Sequence, residues 1–229
     1  MLDDSASEAR HDLAQRIAMQ IRAKFAGESS GHDWAHIDRV RRLALRIARA
    51  EGADAQVAEI AEVAALVHDI ADWKFHGGDE DVGPREARRL LACEGAPEAL
   101  IDEVADIVRT ISYKGAGVAT PMRTLAGRCV QDADRLDALG AIGIARCFAY
   151  GGHAGRPLYD PAVPPVLHAS AQDYKAARSH SLNHFHEKLL LLRERMNTAT
   201  GRALAERRHR YMEDFVARFL REWDAADDA

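Results

Sequence analysis

His68 and Asp69 stand side by side in the run Ala-Glu-Val-Ala-Ala-Leu-Val-His-Asp-Ile-Ala-Asp (61–72), which is too apolar to lie on a surface. Burying an imidazole and a carboxylate without partners costs several kcal/mol or neutralises them through pKa shifts. A divalent metal reverses that logic, because it takes neutral imidazole and ionised carboxylate as ligands. Two more helices offer completing ligands. His36 lies one turn before the apolar stripe Val40, Leu43, Ala44 and Ile47. Farther along, the cluster Asp132-Ala-Asp134-Arg-Leu-Asp137 supplies a carboxylate. Asp134 is the choice within it, since Leu125, Cys129, Val130, Ala133 and Leu136 predict a largely buried helix around it.

Histidine nitrogen with carboxylate oxygen suits Mn²⁺, Mg²⁺, Co²⁺, Fe²⁺ or Zn²⁺, and no soft sulfur ligand is implied. Two imidazoles and two carboxylates leave an octahedral ion with open positions for water and a substrate oxygen. Such an ion lowers the pKa of its water and neutralises charge on a phosphoryl group. On these residues alone a second reading stays open. His36 could be a hydrogen-bonded core histidine, Asp134 could pair with Arg135 or Arg146, and His68-Asp69 could be a chance doublet. Burial of the charged pair only raises the functional prior.

The elements that must position these residues are helices. Ala, Leu, Arg and Glu dominate and β-branched runs are scarce, so the expected fold is all-α. With 229 residues and no internal repeat, the chain reads as a single domain with a core over about 28–150 and C-terminal helices over about 168–223. A capping box at Ser5–Glu8 opens a first helix, and others are expected from near His32 to Ala50, Ala55 to Ala71, Arg85 to Cys93 and Glu98 to Ser112. Further helices should run from Arg123 to Leu139, Ile142 to Tyr150, His168 to Asn197 with a break near His180, and Gly201 to Trp223. Three segments read as loops: 72–84, 113–121, and the Gly- and Pro-rich stretch 151–165.

A formal net charge of −5 leaves no electrostatic footprint for nucleic acid. Cys93, Cys129 and Cys147 are far apart and odd in number, which fits a reducing cytoplasm rather than a disulfide framework. The N-terminus is acidic and polar, and no stretch approaches the ~20 apolar residues of a membrane span.

The pattern His36…His68-Asp69…Asp134 resembles the signature of the HD superfamily of metal-dependent phosphohydrolases. The flanks His36-Ile-Asp-Arg-Val40, Ala64-Ala-Leu-Val-His-Asp-Ile-Ala-Asp72 and Ala133-Asp-Arg-Leu-Asp137 carry the likeness. Ile111-Ser-Tyr-Lys-Gly115, Asp132 to Ala145 and His184-Phe-His-Glu-Lys-Leu189 are similar to a bacterial subfamily of stand-alone HD hydrolases, so the resemblance covers about 28–223. It implies a helical bundle in which these four residues coordinate one divalent metal beneath an open cleft. It also implies hydrolysis of phosphate esters or anhydrides, commonly of nucleotides.

Some members place an acidic residue three positions after the metal-binding Asp, where it orients or deprotonates the attacking water. Here that residue is Asp72, shorter than the glutamate often found there. Lys74, Lys114 and Arg135 are the cations expected to hold phosphate, Lys114 foremost because its loop has little structural need of it. His32, His153 and His184 are further candidates for the cleft. The extra His-rich motif of the members that hydrolyse cyclic dinucleotides is missing, so one metal is expected.

The expected function is therefore a nucleoside triphosphate pyrophosphohydrolase or phosphatase. The alternative is a non-catalytic metal- or nucleotide-binding signalling module, against which the complete ligand set and Asp72 argue. An HD oxygenase would need further ligands for a di-iron centre. The expected partner is a phosphorylated small molecule, with neither nucleic acid nor membrane; the oligomeric state is left open, a homodimer among the options.

Overall fold

The computed structural model describes residues 2–27, 33–71, 79–167 and 179–226, and every regular element among them is helical. In chain order these are α1 (Leu2–Lys24), α2 (Trp34–Ala50), α3 (Ala55–Val67), α4 (Val82–Cys93), α5 (Glu98–Thr110), α6 (Leu125–Asp137) and α7 (Gly140–His153). After them come α8 (Asn183–Glu187), a 3₁₀ helix (Leu189–Arg195) and α9 (Ala199–Trp223). The all-α expectation holds. No described helix is long and apolar enough to cross a membrane.

The packing separates into two compact units, Met1–Ser112 with Thr120–Ala133, and Tyr113–Ala119 with Asp134–Ala229. In the first, α3 is central: Ile60, Ala61 and the run Val63 to Val67 are buried, with α1, α2 and α5 packed against it and α4 against α5. A helix apolar around its circumference has no face to give to solvent. α2 presents one stripe instead, burying His36, Ile37, Val40, Ala44, Ile47 and Ala48. In the second unit Phe148 packs against Phe185, Phe215 and Phe219 at 5.9–6.0 Å between ring centroids, and Trp223 stacks on Phe219.

Side-chain and backbone partners decide the boundaries. Asp33 caps α2 and Asp54 caps α3, each carboxylate accepting a backbone N–H of the first turn at 2.8 Å. α1 begins at Leu2, so Ser5 is inside the helix rather than its cap. α3 stops at Val67, four residues before the expected Ala71, because the Ile70 N–H turns back to the Val67 carbonyl at three-residue spacing. α5 ends at Thr110 rather than Ser112, where the buried Gln131 amide donates to the Thr110 and Ile111 carbonyls at 3.4 and 3.3 Å.

The long helix expected over 168–197 does not form in its described part. Ser181 and Leu182 donate their N–H groups to the Pro157 and Leu158 carbonyls, which takes them out of any helical ladder. Only the short α8 and the 3₁₀ helix follow, separated at Lys188 (φ −142°). The residues 154–167 are irregular, as expected of that stretch, while α7 continues to His153. His180 Nε2 and Asn183 Nδ2 both reach the Val163 carbonyl, at 3.1 and 2.9 Å, and fasten that stretch.

The corner between α6 and α7 needs glycine twice. Gly140 takes φ +73°, and a Cβ on Gly143 would fall well inside contact with the Ala138 carbonyl. Gly143→Ala is expected to lower stability by about 2 kcal/mol. Overpacking typically costs about 1–3 kcal/mol and outweighs a helix-propensity gain of at most ~1 kcal/mol. Urea denaturation reads it, and an unchanged or raised midpoint would show that the corner relaxes freely.

All three cysteines are free thiols. Burial pushes Cys129 and Cys147 up to about 12, so they are neutral and unreactive at ordinary pH, while Cys93 is exposed.

Candidate metal centre

Two helices of the first unit bring three ligand atoms together. The Asp33 cap sets the start of α2, and His36 occupies its first turn, fully buried on the face that meets α3. His68 and Asp69 stand at the far end of α3, just past its last helical residue. His68 keeps helical dihedrals (φ −58°, ψ −33°), so its ring continues the direction of the buried helix.

His36 Nε2 lies 3.2 Å from His68 Nε2, and Asp69 Oδ2 lies 3.3 Å and 3.4 Å from the two nitrogens. The rings meet edge to face at 5.2 Å. Both histidine side chains are buried, whereas the Asp69 side chain is 28% exposed, so the triangle has one open side.

One contact orients the His68 ring. Its Nδ1 is 2.8 Å from the Ala65 carbonyl, which can only accept, so Nδ1 carries a proton and Nε2 is the nitrogen turned to His36 and Asp69. Three electron-pair donors facing one another at this spacing repel unless a cation or proton sits among them. The separations are those of neighbouring ligands around one ion bound at about 2.1 Å. His36, His68 and Asp69 form the group of the described residues suited to hold a metal. The donor set, two imidazoles and a carboxylate, fits a divalent ion of intermediate hardness.

The other expected site residues are placed as follows. Asp134 lies on α6 in the second unit, half-buried, between the fully buried Ala133 and Arg135, which is 6% exposed. Of its two rivals, Asp132 is fully buried, and Asp137 accepts from Arg146 at 2.8 Å, the pairing considered for Asp134. Lys114 is half-buried in the loop 113–119, and Arg135 donates through Nη1 to the Arg195 carbonyl. Asp72, Lys74 and His32 lie outside the described residues. His153 is exposed at the end of α7 and His184 is half-buried on α8. Around the Lys114 loop, sequence reasoning gave no role to Tyr113, Lys188 or Arg195. Tyr113 and Lys188 lie inside stretches that carry the resemblance, whereas nothing local marks Arg195, because its contacts with the loop span 77 and 79 residues.

A helical protein with two imidazoles and a carboxylate converging from successive helices defines a class by its site, and the comparisons give that class its family. Residues 33–139 match the family model described as the HD domain. YpgQ of Bacillus subtilis is 39% identical over 204 residues, 89% of this chain and 90% of YpgQ. The chain belongs to the HD-domain superfamily.

Among solved structures it is similar to a Lactobacillus plantarum protein (35% identity, TM-score 0.81, covering 93% of this chain and 98% of that one). It is also similar to an HD-superfamily hydrolase of Bacillus thuringiensis (39% identity, TM-score 0.71, covering 94% and 99%). B. subtilis YpgQ, crystallised in complex with ADP, aligns at 34% identity and TM-score 0.69 over 93% of this chain and all (100%) of that one.

Proposed function

We propose that the protein is a metal-dependent phosphohydrolase that cleaves a phosphate ester or anhydride of a nucleotide, with nucleoside triphosphates the first substrates to consider. The observation that carries this reading is the triangle of His36 Nε2, His68 Nε2 and Asp69 Oδ2, all within 3.4 Å of one another, on an HD-superfamily fold. Asp134 is the proposed fourth ligand, supported by its place in the matched segment and by the engagement of Asp137 with Arg146. When bound, the divalent ion lowers the pKa of a coordinated water and neutralises phosphoryl charge.

The chain's own contributions are separable. The Ala65 carbonyl holds the His68 ring by Nδ1 so that Nε2 is turned toward the metal position. Asp72 orients the attacking water or accepts its proton as that water attacks phosphorus in line with the leaving oxygen. Lys74, Lys114 and Arg135 hold the phosphates by charge-assisted hydrogen bonds. Support for a nucleotide comes from YpgQ, a relative crystallised with ADP. The three free cysteines support a reducing cytoplasm as the compartment.

The test is hydrolysis of a panel of nucleoside mono-, di- and triphosphates with Mn²⁺, Mg²⁺ or Co²⁺, with phosphate and pyrophosphate assayed separately. Metal-dependent turnover of a nucleotide is expected. Metal bound at one equivalent with no turnover of any phosphate compound would leave a binding module, and the hydrolase reading would be wrong.

A further inference from the structure

The Tyr113–Ala119 loop has two glycines, no regular structure, and a left-handed Gly115 (φ +122°) directly after Lys114. Such a segment on its own samples many conformations, and a lysine on it would meet a phosphate only part of the time. Within the second unit the loop is held from one residue. The Arg195 guanidinium, at the end of the 3₁₀ helix, donates through Nη1 to the Val118 carbonyl at 2.9 Å and through Nη2 to the Ala116 carbonyl. Its Cζ also lies 5.0 Å from the centre of the Tyr113 ring, in cation–π contact. Lys188 Nζ approaches the same ring at 5.3 Å, and the Tyr113 hydroxyl donates to the Glu187 carbonyl at 3.4 Å. Lys114 is therefore flanked on one side by a clamped ring and on the other by two clamped carbonyls. The base of the clamp is tied in turn, since Arg135 donates to the backbone carbonyl of Arg195.

We propose that Arg195 is a positioning residue, holding the Tyr113–Ala119 loop so that Lys114 is kept in one phosphate-receiving form. The proposal rests on the reading of Lys114 as a phosphate-holding residue. Arg195 itself turns its donors to backbone carbonyls and acts through the loop. A planar fork with donors on separate nitrogens suits two carbonyls two residues apart, a geometry that a lysine ammonium on one flexible stem does not reproduce.

Two readouts test it, one free of activity. Limited trypsinolysis followed by mass spectrometry measures cleavage of the Lys114–Gly115 bond, which requires the loop to open. Arg195→Ala is expected to speed that cleavage by about tenfold while the melting temperature shows the fold retained, with Arg195→Lys intermediate. In steady-state kinetics Arg195→Ala is expected to raise KM for the nucleotide by about tenfold with kcat within about twofold, and to add nothing to Lys114→Ala. Should Arg195→Ala not fold, Arg195→Gln, which keeps two donors and loses the charge, is read in the same way.

Unchanged cleavage at Lys114 in the folded variant overturns the proposal, whether or not any nucleotide is turned over. Effects of Arg195→Ala and Lys114→Ala that multiply also overturn it, because the two residues would then act independently. If instead Lys114→Ala leaves KM unaltered while Arg195→Ala still opens the loop, the phosphate-holding reading of Lys114 is what fails.

Discussion

Asp69→Ala is expected to strip the divalent ion from the purified protein and to lower nucleotide hydrolysis by at least about a thousandfold, or ~4 kcal/mol at one decade per 1.36 kcal/mol. The reason lies in the geometry. Asp69 supplies the only carboxylate oxygen of the three-residue cluster, 3.3 and 3.4 Å from the two imidazole nitrogens, and it forms the partly open side of the triangle. Without it the cluster keeps its two imidazoles but loses its carboxylate, and a cation there loses the charge compensation that Asp69 supplies. Loss of an outer partner that merely orients a ligand typically weakens metal binding by about 10–100-fold, so loss of a ligand itself should exceed that range.

The fold should survive, because Asp69 lies beyond the last residue of α3 and its side chain is part-exposed. Metal content by mass spectrometry, circular dichroism and turnover are read on the same preparation. A variant that keeps stoichiometric metal with wild-type turnover would remove Asp69 from the site.

Asp134→Ala is expected to have an effect of similar size on metal retention and turnover, whereas Asp132→Ala should keep its metal. The two residues are roughly 200° apart around a helix of 3.6 residues per turn, so they face different surroundings and cannot both serve one site. Asp132 is fully buried, so its replacement is expected to act on stability instead. A buried acid leaves its polar partners unsatisfied when truncated, at a cost of about 1–3 kcal/mol. The pair of variants is informative because each controls for the other. Metal lost from Asp132→Ala and retained by Asp134→Ala would reverse the assignment within the cluster.

How much of this was legible in the chain differs from element to element. The stripe on α2 and the apolar run of α3 are local patterns, and both helices form where periodicity places them. Their ends were less legible. The stop of α3 at Val67 depends on the Ile70 N–H turning back to Val67, and the end of α5 at Thr110 on a glutamine 20 and 21 residues away. The segment expected to be a helix over 168–197 misled most. Its Leu-rich end has helical composition, yet Ser181 and Leu182 bond to residues 157 and 158, a pairing that no local pattern records.

What the sequence by itself determined is the burial problem that points to a metal. A histidine on an apolar stripe and a His-Asp doublet at the end of a buried helix can be reconciled with burial only through neutralisation or a shared cation, and that follows from residue type and period alone. Only the tertiary structure decided that the two imidazoles face each other at 3.2 Å with Asp69 closing the triangle, and that His68 Nδ1 is committed to the Ala65 carbonyl. The same holds for the clamp of Arg195 on the Lys114 loop. The physical reason is common to all three: helical period fixes which face a side chain takes. Distances between residues tens of positions apart depend on how helices pack and on which backbone carbonyls their ends leave to be satisfied.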